Sequence, residues 1–446
     1  MKRGTRVNKE TLIIPSLALI VLLSFWLING GNVCTIVFGE VDGKITYYRY
    51  WCNMTLKIQG DVSDLKGLNE VMMFPNTSRQ TVFLKEAKYV INGKEILKKH
   101  ISTDEDSNTI LVFDVPLNYL KNGTVINIFF DVLIVQRNMP KDNISLNNFY
   151  NVSLEEIPHQ LVNAYAGNKS TWIISDEIYT LSRKLADKST SIFEILNAFS
   201  KWIEDNIPYP LNQSIRNMIG PQYPDETYRW KIGDCDDTSI LFITMCRAVG
   251  VPSFLQLGCI PQLDMSWHVI VMHNGNYIHK SRGVGWHAWS MVYIPKLGWI
   301  PVDLTYFSGA YFNVANQSSL IYIKSPLGIR PKIKYSAYFI ANPIIYANFS
   351  TLRYVDDARA WEQAMIDGRL KYTCTEELEV LNSINMRSVR RVPIPWEIPV
   401  ALCIVFLAIL FGMYFKLKRE RERHEGSITD YRSYTGQILT ILACTS

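Results

Sequence analysis

The chain has 446 residues, room for two or three domains, and an apolar content of 48% that allows at least one buried core. Lys and Arg number 46 against 41 Asp and Glu. Residues 1–10 and 416–446 together hold ten basic and five acidic side chains, which leaves 36 of each in between. A neutral middle argues against a nucleic-acid partner, which needs a basic face on the folded domain.

In chain order, residues 1–10 read as a basic cytoplasmic N-terminus. Residues 11–29 read as a transmembrane helix or signal anchor, because Thr11 to Ile28 carries no charge and about 20 apolar residues span a bilayer. A cleaved signal peptide is the alternative; the length of the run and the lack of a small-x-small site favour a retained anchor. A second apolar run, Trp396 to Phe415, precedes the dense KLKRERER stretch. It predicts a transmembrane helix over 396–415 and a basic cytoplasmic tail over 416–446. Both basic flanks then face the cytoplasm under the positive-inside rule. Everything from about Gly30 to Pro395 is expected outside the cell, on a two-pass cell-membrane protein in contact with lipid. Nine N-x-S/T sequons, at Asn53, Asn76, Asn122, Asn143, Asn151, Asn168, Asn212, Asn316 and Asn348, all fall in that region, as a glycoprotein requires.

Residues 30–150 read as an extracellular antiparallel β domain of sandwich type. KITYYRYWCNMTLKI, TVFLKEAKYVI and TVINIFFDVLIV are rich in β-branched and aromatic residues, with NGK and KNGT as turns. Cys34 and Cys52 flank a plausible hairpin and are the favoured disulfide in an oxidising compartment. From about 174 the pattern turns helical. Ile192, Ile195, Phe199, Trp202 and Ile203 form a stripe that Pro208 and Pro210 end. A further helix is expected from Cys235 to Gly250, followed by strands at SFLQLGC, HVIVM, YIHK, WHAWSMVYI and GWIPVDLTY. A second outer domain is placed at 151–335 and an extracellular helical or linker segment at 336–395, with 356–386 helical.

Three segments carry chemistry. In Gly233-Asp234-Cys235-Asp236-Asp237, Asp234 suits an N-cap and places Cys235 in the first helical turn. There the helix dipole favours thiolate, while Asp236 and Asp237 oppose it, so the thiol needs a cationic partner. In Gly285-Trp286-His287-Ala288-Trp289, His287 on a strand can form a thiolate-imidazolium pair with the Cys and later protonate a leaving group. In Gly298-Trp299-Ile300-Pro301-Val302-Asp303, a carboxylate on the adjacent strand can orient the imidazole; a turn near 295–298 puts Asp303 within reach, depending on register.

The order GDCDD, helix, G-x-x-W-H-A-W and G-W-I-P-V-D resembles the transglutaminase-like superfamily over about residues 170–310. Asn206-Ile207-Pro208-Tyr209 is similar to that family's usual lead-in. The resemblance implies a papain-like α+β core, with the Cys-bearing helix packed on an antiparallel sheet, and carries over Cys235, His287 and Asp303 as the catalytic triad. The anchored layout is similar to archaeal members.

The bland readings are weighed alongside. Cys246 reads as a buried structural thiol, and His268, His273 and His279 as core or surface histidines. No Cys or carboxylate sits near these histidines at zinc spacing, so neither a metal nor a cofactor is expected. Trp286, Trp289 and Trp299 read as packing. For the oxyanion, the backbone N–H of Cys235 is the best donor, with Gln213 and Trp230 as side-chain candidates. The expected reaction is acyl transfer through a thioester on Cys235. Protein or peptide amides of the cell surface or envelope are hydrolysed; cross-linking of surface proteins through glutamine is the alternative, and a non-catalytic binding module the reading from another class.

Overall fold

Strands at Gly43–Ile58 (β2), Glu70–Met72 (β3), Gln80–Ile91 (β4), Lys94–Glu95 (β5), Lys99–Thr103 (β6), Thr109–Phe113 (β7) and Val125–Arg137 (β8) follow the period-2 pattern of the sequence. In β8, every second side chain from Ile126 to Ile134 is buried, as a sheet with one core face demands. The structure, a computed structural model, describes chiefly residues 43–137, 152–168, 172–210, 220–262, 264–307 and 342–386, and short strands at 34–38, 311–312, 320–321 and 389–393.

The chain divides into two units, residues 42–386 and residues 1–41 with 387–446. Among the described residues of the second unit, Cys34–Phe38 (β1) pairs antiparallel with Val389–Pro393 (β18), Cys34 opposite Pro393. The apolar runs at 11–29 and 396–415 lie outside the described residues; among those that are described, no helix is long and apolar enough to cross a membrane.

The larger unit is mixed α+β. Its helices are His159–Tyr165 (α1), Asp176–Ala186 (α2), Ile192–Asn206 (α3), Pro224–Trp230 (α4), Cys235–Ala248 (α5), Leu304–Phe307 (α6) and Arg353–Ile366 (α7). Its later strands are Ser253–Pro261 (β9), His268–Met272 (β10), Tyr277–Arg282 (β11), Val284–Ile294 (β12), Gly298–Val302 (β13), Tyr311–Phe312 (β14), Leu320–Ile321 (β15), Ile344–Phe349 (β16) and Leu370–Met386 (β17).

A seven-stranded sheet runs in the order β10-β11-β17-β2-β8-β4-β5. The β segment expected from the first third of the chain is therefore completed by strands from 268–282 and 370–386. Its core face packs against the three-stranded sheet β3-β7-β6, with Tyr89 and Phe113 at 4.9 Å between ring centres.

Two expectations are corrected here. Residues 353–366 are helical, but 370–386 form a strand paired along nearly its whole length with β2. Glu-rich TEELEVL suits a helix in isolation. Leu370, Cys374, Glu376 and Leu378, however, bury at period two against β2, and that pairing overrides local propensity. The Cys34–Cys52 disulfide does not form: Cys52 is a free thiol inside the sheet core, opposite Glu376 of β17. Its side chain points inward from the middle of β2, so it behaves as a small buried hydrophobe.

The second sheet, antiparallel in the order β13-β12-β9-β16, carries α5. Ile240, Leu241, Phe242, Ile243 and Met245 of α5 are all essentially inaccessible. A helix apolar on all sides belongs in an interior, and α5 lies between α2 and α3 on one side and the sheet on the other. The stripe from Ile192 to Ile203 on α3 supplies the first of these contacts. Ser175 and Ser191 cap α2 and α3, accepting from the Ile178 and Glu194 backbone N–H groups. The free cysteine Cys246 is buried in this core, as expected for a structural thiol.

Candidate active site

Cys235 is the first residue of α5, and Asp234 is its N-cap. The turn is fixed by polar bonds on both sides of the sulfur. The Asp234 backbone N–H donates to Asp237 Oδ2 at 3.1 Å, and the Gln222 backbone N–H donates to Asp237 Oδ1 at 2.7 Å. Thr238 Oγ1 donates to the Asp234 carbonyl and Ser239 Oγ to the Cys235 carbonyl. Gly233 is required here: an added Cβ would sit 2.8 Å from Cβ of Asp237. Asp237 is thus a clamp on the helix start, fully buried.

The thiol packs against the cluster that contains Ala288 and is drawn toward the backbone N–H of Ala288, the residue after His287. His287 is 7% exposed and Asp303 1%. His287 Nε2 lies 2.8 Å from Asp303 Oδ2; an ionised carboxylate only accepts, so Nε2 carries the hydrogen. The β12–β13 register runs from Ile294 opposite Gly298 to Ser290 opposite Val302. One step further sets Asp303 opposite Trp289, so the bond to His287 crosses the ladder on a diagonal. All three residues singled out in the sequence therefore gather where β13 ends beside β12, and Asp303 is close enough to act electrostatically on the thiol.

Residues 179–304 match the family model of the transglutaminase-like superfamily. The chain carries a transglutaminase-like domain. Among solved structures, it is similar to a candidate cysteine protease from Cytophaga hutchinsonii, at 12% identity over 80% of this chain and 94% of that one, TM-score 0.39. It is also similar to the periplasmic domain of TgpA from Pseudomonas aeruginosa, at 13% identity over 60% and 88%, TM-score 0.26. Red sea bream transglutaminase gives 10% identity over 57% and 46%, TM-score 0.25. A search of curated proteins found no match.

The electrostatics of the transglutaminase-like domain differ from the sequence expectation in one respect. Burial, then the carboxylates of Asp234 and Asp236, push the Cys235 thiol well above the ordinary thiol range; the Ala288 N–H pulls the other way and is outweighed. The helix start alone does not make a thiolate, because two carboxylates flank the sulfur in sequence.

One member of the site was missed. Tyr354, on α7, donates from Oη to Asp236 Oδ2 at 2.8 Å. Burial and the same carboxylate push its phenol well above the usual range, so it stays a donor. On the same helix, Arg359 binds Glu226 of α4 at 2.9 Å and lies 4.9 Å from the Tyr223 ring, and Asp356 accepts from Tyr223 Oη. Helix α7 thus braces α4 and the start of α5 from outside the matched family segment. A Tyr 119 positions after Cys235 carries no local signal of this role.

Of the oxyanion candidates, Trp230 ends α4 with half its surface exposed, and Gln213 lies outside the described residues. Trp289 is fully buried and donates to Gln256 Oε1 at 3.1 Å, and Trp299 packs on Phe254 and Tyr165, so both serve packing. Trp286 donates to Glu376 Oε1 at 2.7 Å.

Proposed function

We propose that the chain is a cysteine acyl-transfer enzyme that hydrolyses peptide or amide bonds in surface or envelope proteins. The observation that carries this reading is the His287–Asp303 bond at 2.8 Å beside the Cys235 thiol at a helix start. With Nε2 bound to Asp303, Nδ1 of His287 is the nitrogen left to exchange a proton with the thiol. Because the thiol rests protonated, His287 acts as general base while sulfur attacks the carbonyl carbon. The resulting imidazolium is stabilised by Asp303 and returns the proton to the leaving amine. The acyl group is left as a thioester on Cys235, which water resolves through the same histidine. The backbone N–H of Cys235, at the helix start, is the oxyanion donor in this scheme.

The anchored, outward-facing placement of residues 30–395 is part of the proposal. It is supported by the two basic flanks of the apolar runs and by the sequons between them. The second nucleophile separates hydrolysis from cross-linking. Mass spectrometry of envelope proteins incubated with the full chain, against a Cys235→Ala control, tests both. New peptide termini are expected; isopeptide cross-links instead would make the enzyme a transglutaminase. The raised thiol favours one second reading, a binding module that retains the fold, and identical peptide sets from the two proteins would favour it over the enzyme.

A further inference from the structure

A second group of reactive side chains lies on the core face of the seven-stranded sheet. Glu376 is 2% exposed there. Tyr50 Oη donates to its Oε2 at 2.6 Å, Trp286 Nε1 donates to Oε1 at 2.7 Å, and His279 Nε2 lies 2.8 Å from Oε1. The parallel pairing of β11 with β17 sets His279 opposite Cys374. The antiparallel pairing of β17 with β2 sets Glu376 opposite Cys52. An imidazole nitrogen, a thiol sulfur and a carboxylate oxygen are so brought within 4.8 Å of one another. The Cys235 chemistry uses none of them.

We propose that His279, Cys374 and Glu376 form a zinc site. The mixture of imidazole, thiolate and carboxylate suits zinc better than magnesium or calcium, which take oxygen alone. Zinc bonds of about 2.0–2.3 Å put tetrahedral ligands roughly 3.3–3.8 Å apart. The present spacing therefore requires only small side-chain shifts, with zinc taking the place between His279 Nε2 and Glu376 Oε1 of the hydrogen, which the neutral imidazole then carries on Nδ1. Tyr50 and Trp286 already hydrogen-bond the carboxylate, as the outer partners of a metal ligand do. His279 retains 15% side-chain exposure, so the cluster meets solvent on the imidazole side. Coordination forms the Zn–S bond and releases the Cys374 thiol proton to solvent. The site ties β11, β17 and β2 together, and Trp286 extends it to β12, the strand that carries His287.

These ligands escape a spacing search because His279 and Glu376 are 97 positions apart and meet only through sheet pairing. The test is metal content of the full chain after Zn²⁺ loading and dialysis, with the Co²⁺-loaded form read by its thiolate-to-cobalt absorption band. One zinc per chain and the band are expected. Both should be lost in Cys374→Ser and kept in Cys235→Ala, which separates this cluster from the Asp234–Cys235–Asp236 group. Glu376→Gln keeps the side chain's shape and should weaken zinc by on the order of tenfold or more, since even outer partners are worth that much. Circular dichroism checks that each variant is folded. A metal-free wild type at saturating Zn²⁺, or a band that survives in Cys374→Ser and Glu376→Gln, would overturn the site and leave a hydrogen-bonded network around Glu376.

Discussion

Replacing Asp303 by Asn keeps the volume of a residue that is 1% exposed and removes the charge that faces His287. Two losses follow. The charge-assisted bond to the imidazolium is worth about 1.5–3 kcal/mol. At about 1.4 kcal/mol per tenfold, this alone slows acylation by roughly 10- to 150-fold. The amide can also donate to Nε2, which selects the tautomer that cannot accept the thiol proton; in comparable triads the total loss reaches about 10⁴. We expect acylation by a p-nitrophenyl ester to fall by about 10²–10⁴, with the fold intact by circular dichroism and little change in KM. The assay is the pre-steady-state release of p-nitrophenol, with intact-mass detection of acyl-Cys235. An acylation rate equal to that of the parent in folded Asp303→Asn would refute the assigned role.

Three other outcomes are expected. Tyr354→Phe removes the hydroxyl that donates to Asp236 at 2.8 Å; alkylation of Cys235 near neutral pH should slow, and stability should fall by about 1.5–3 kcal/mol, read from the urea midpoint. Equal rates would show that Tyr354 does not act on the site. Phe242→Ala empties a fully buried position on α5 and should cost about 3–5 kcal/mol in the same measurement, whereas a shift under about 1 kcal/mol would mean that α5 is not central to the core. The buried thiols of Cys52, Cys246, Cys259 and Cys374 are all raised by burial. A raised folded value means that the stabilisation is full below the unfolded thiol range, near 8.5, and is lost as pH rises toward the folded values. The urea midpoint should therefore drop from pH 8 to pH 10, and a flat profile would contradict the burial of these thiols.

The legible parts of the fold were those set by local pattern. The stripe on α3, the N-cap Asp234 and the glycine after the helix that starts at Cys235 all report on nearest neighbours, and those helices stand where the sequence puts them. His287 and Asp303 were readable because a short turn joins their strands, which leaves few registers to consider. What lay hidden depends on distant pairing. Strand β17 reads as helix until β2 is available to pair with it. The family segment ends before α7, so Tyr354 had no motif to announce it. The same long-range pairing brings Cys374 and Glu376 to His279 and leaves Cys52 unpaired in the core.

The central claim is that Cys235 reacts with the help of His287. Iodoacetamide labelling at pH 7, followed residue by residue with mass spectrometry, measures this in the full chain and in His287→Ala. Cys235 should label fastest among the described cysteines, and the substitution should slow it by about 10²–10⁴, the usual worth of general-base assistance. Equal, slow labelling of Cys235 in the two proteins would contradict the account.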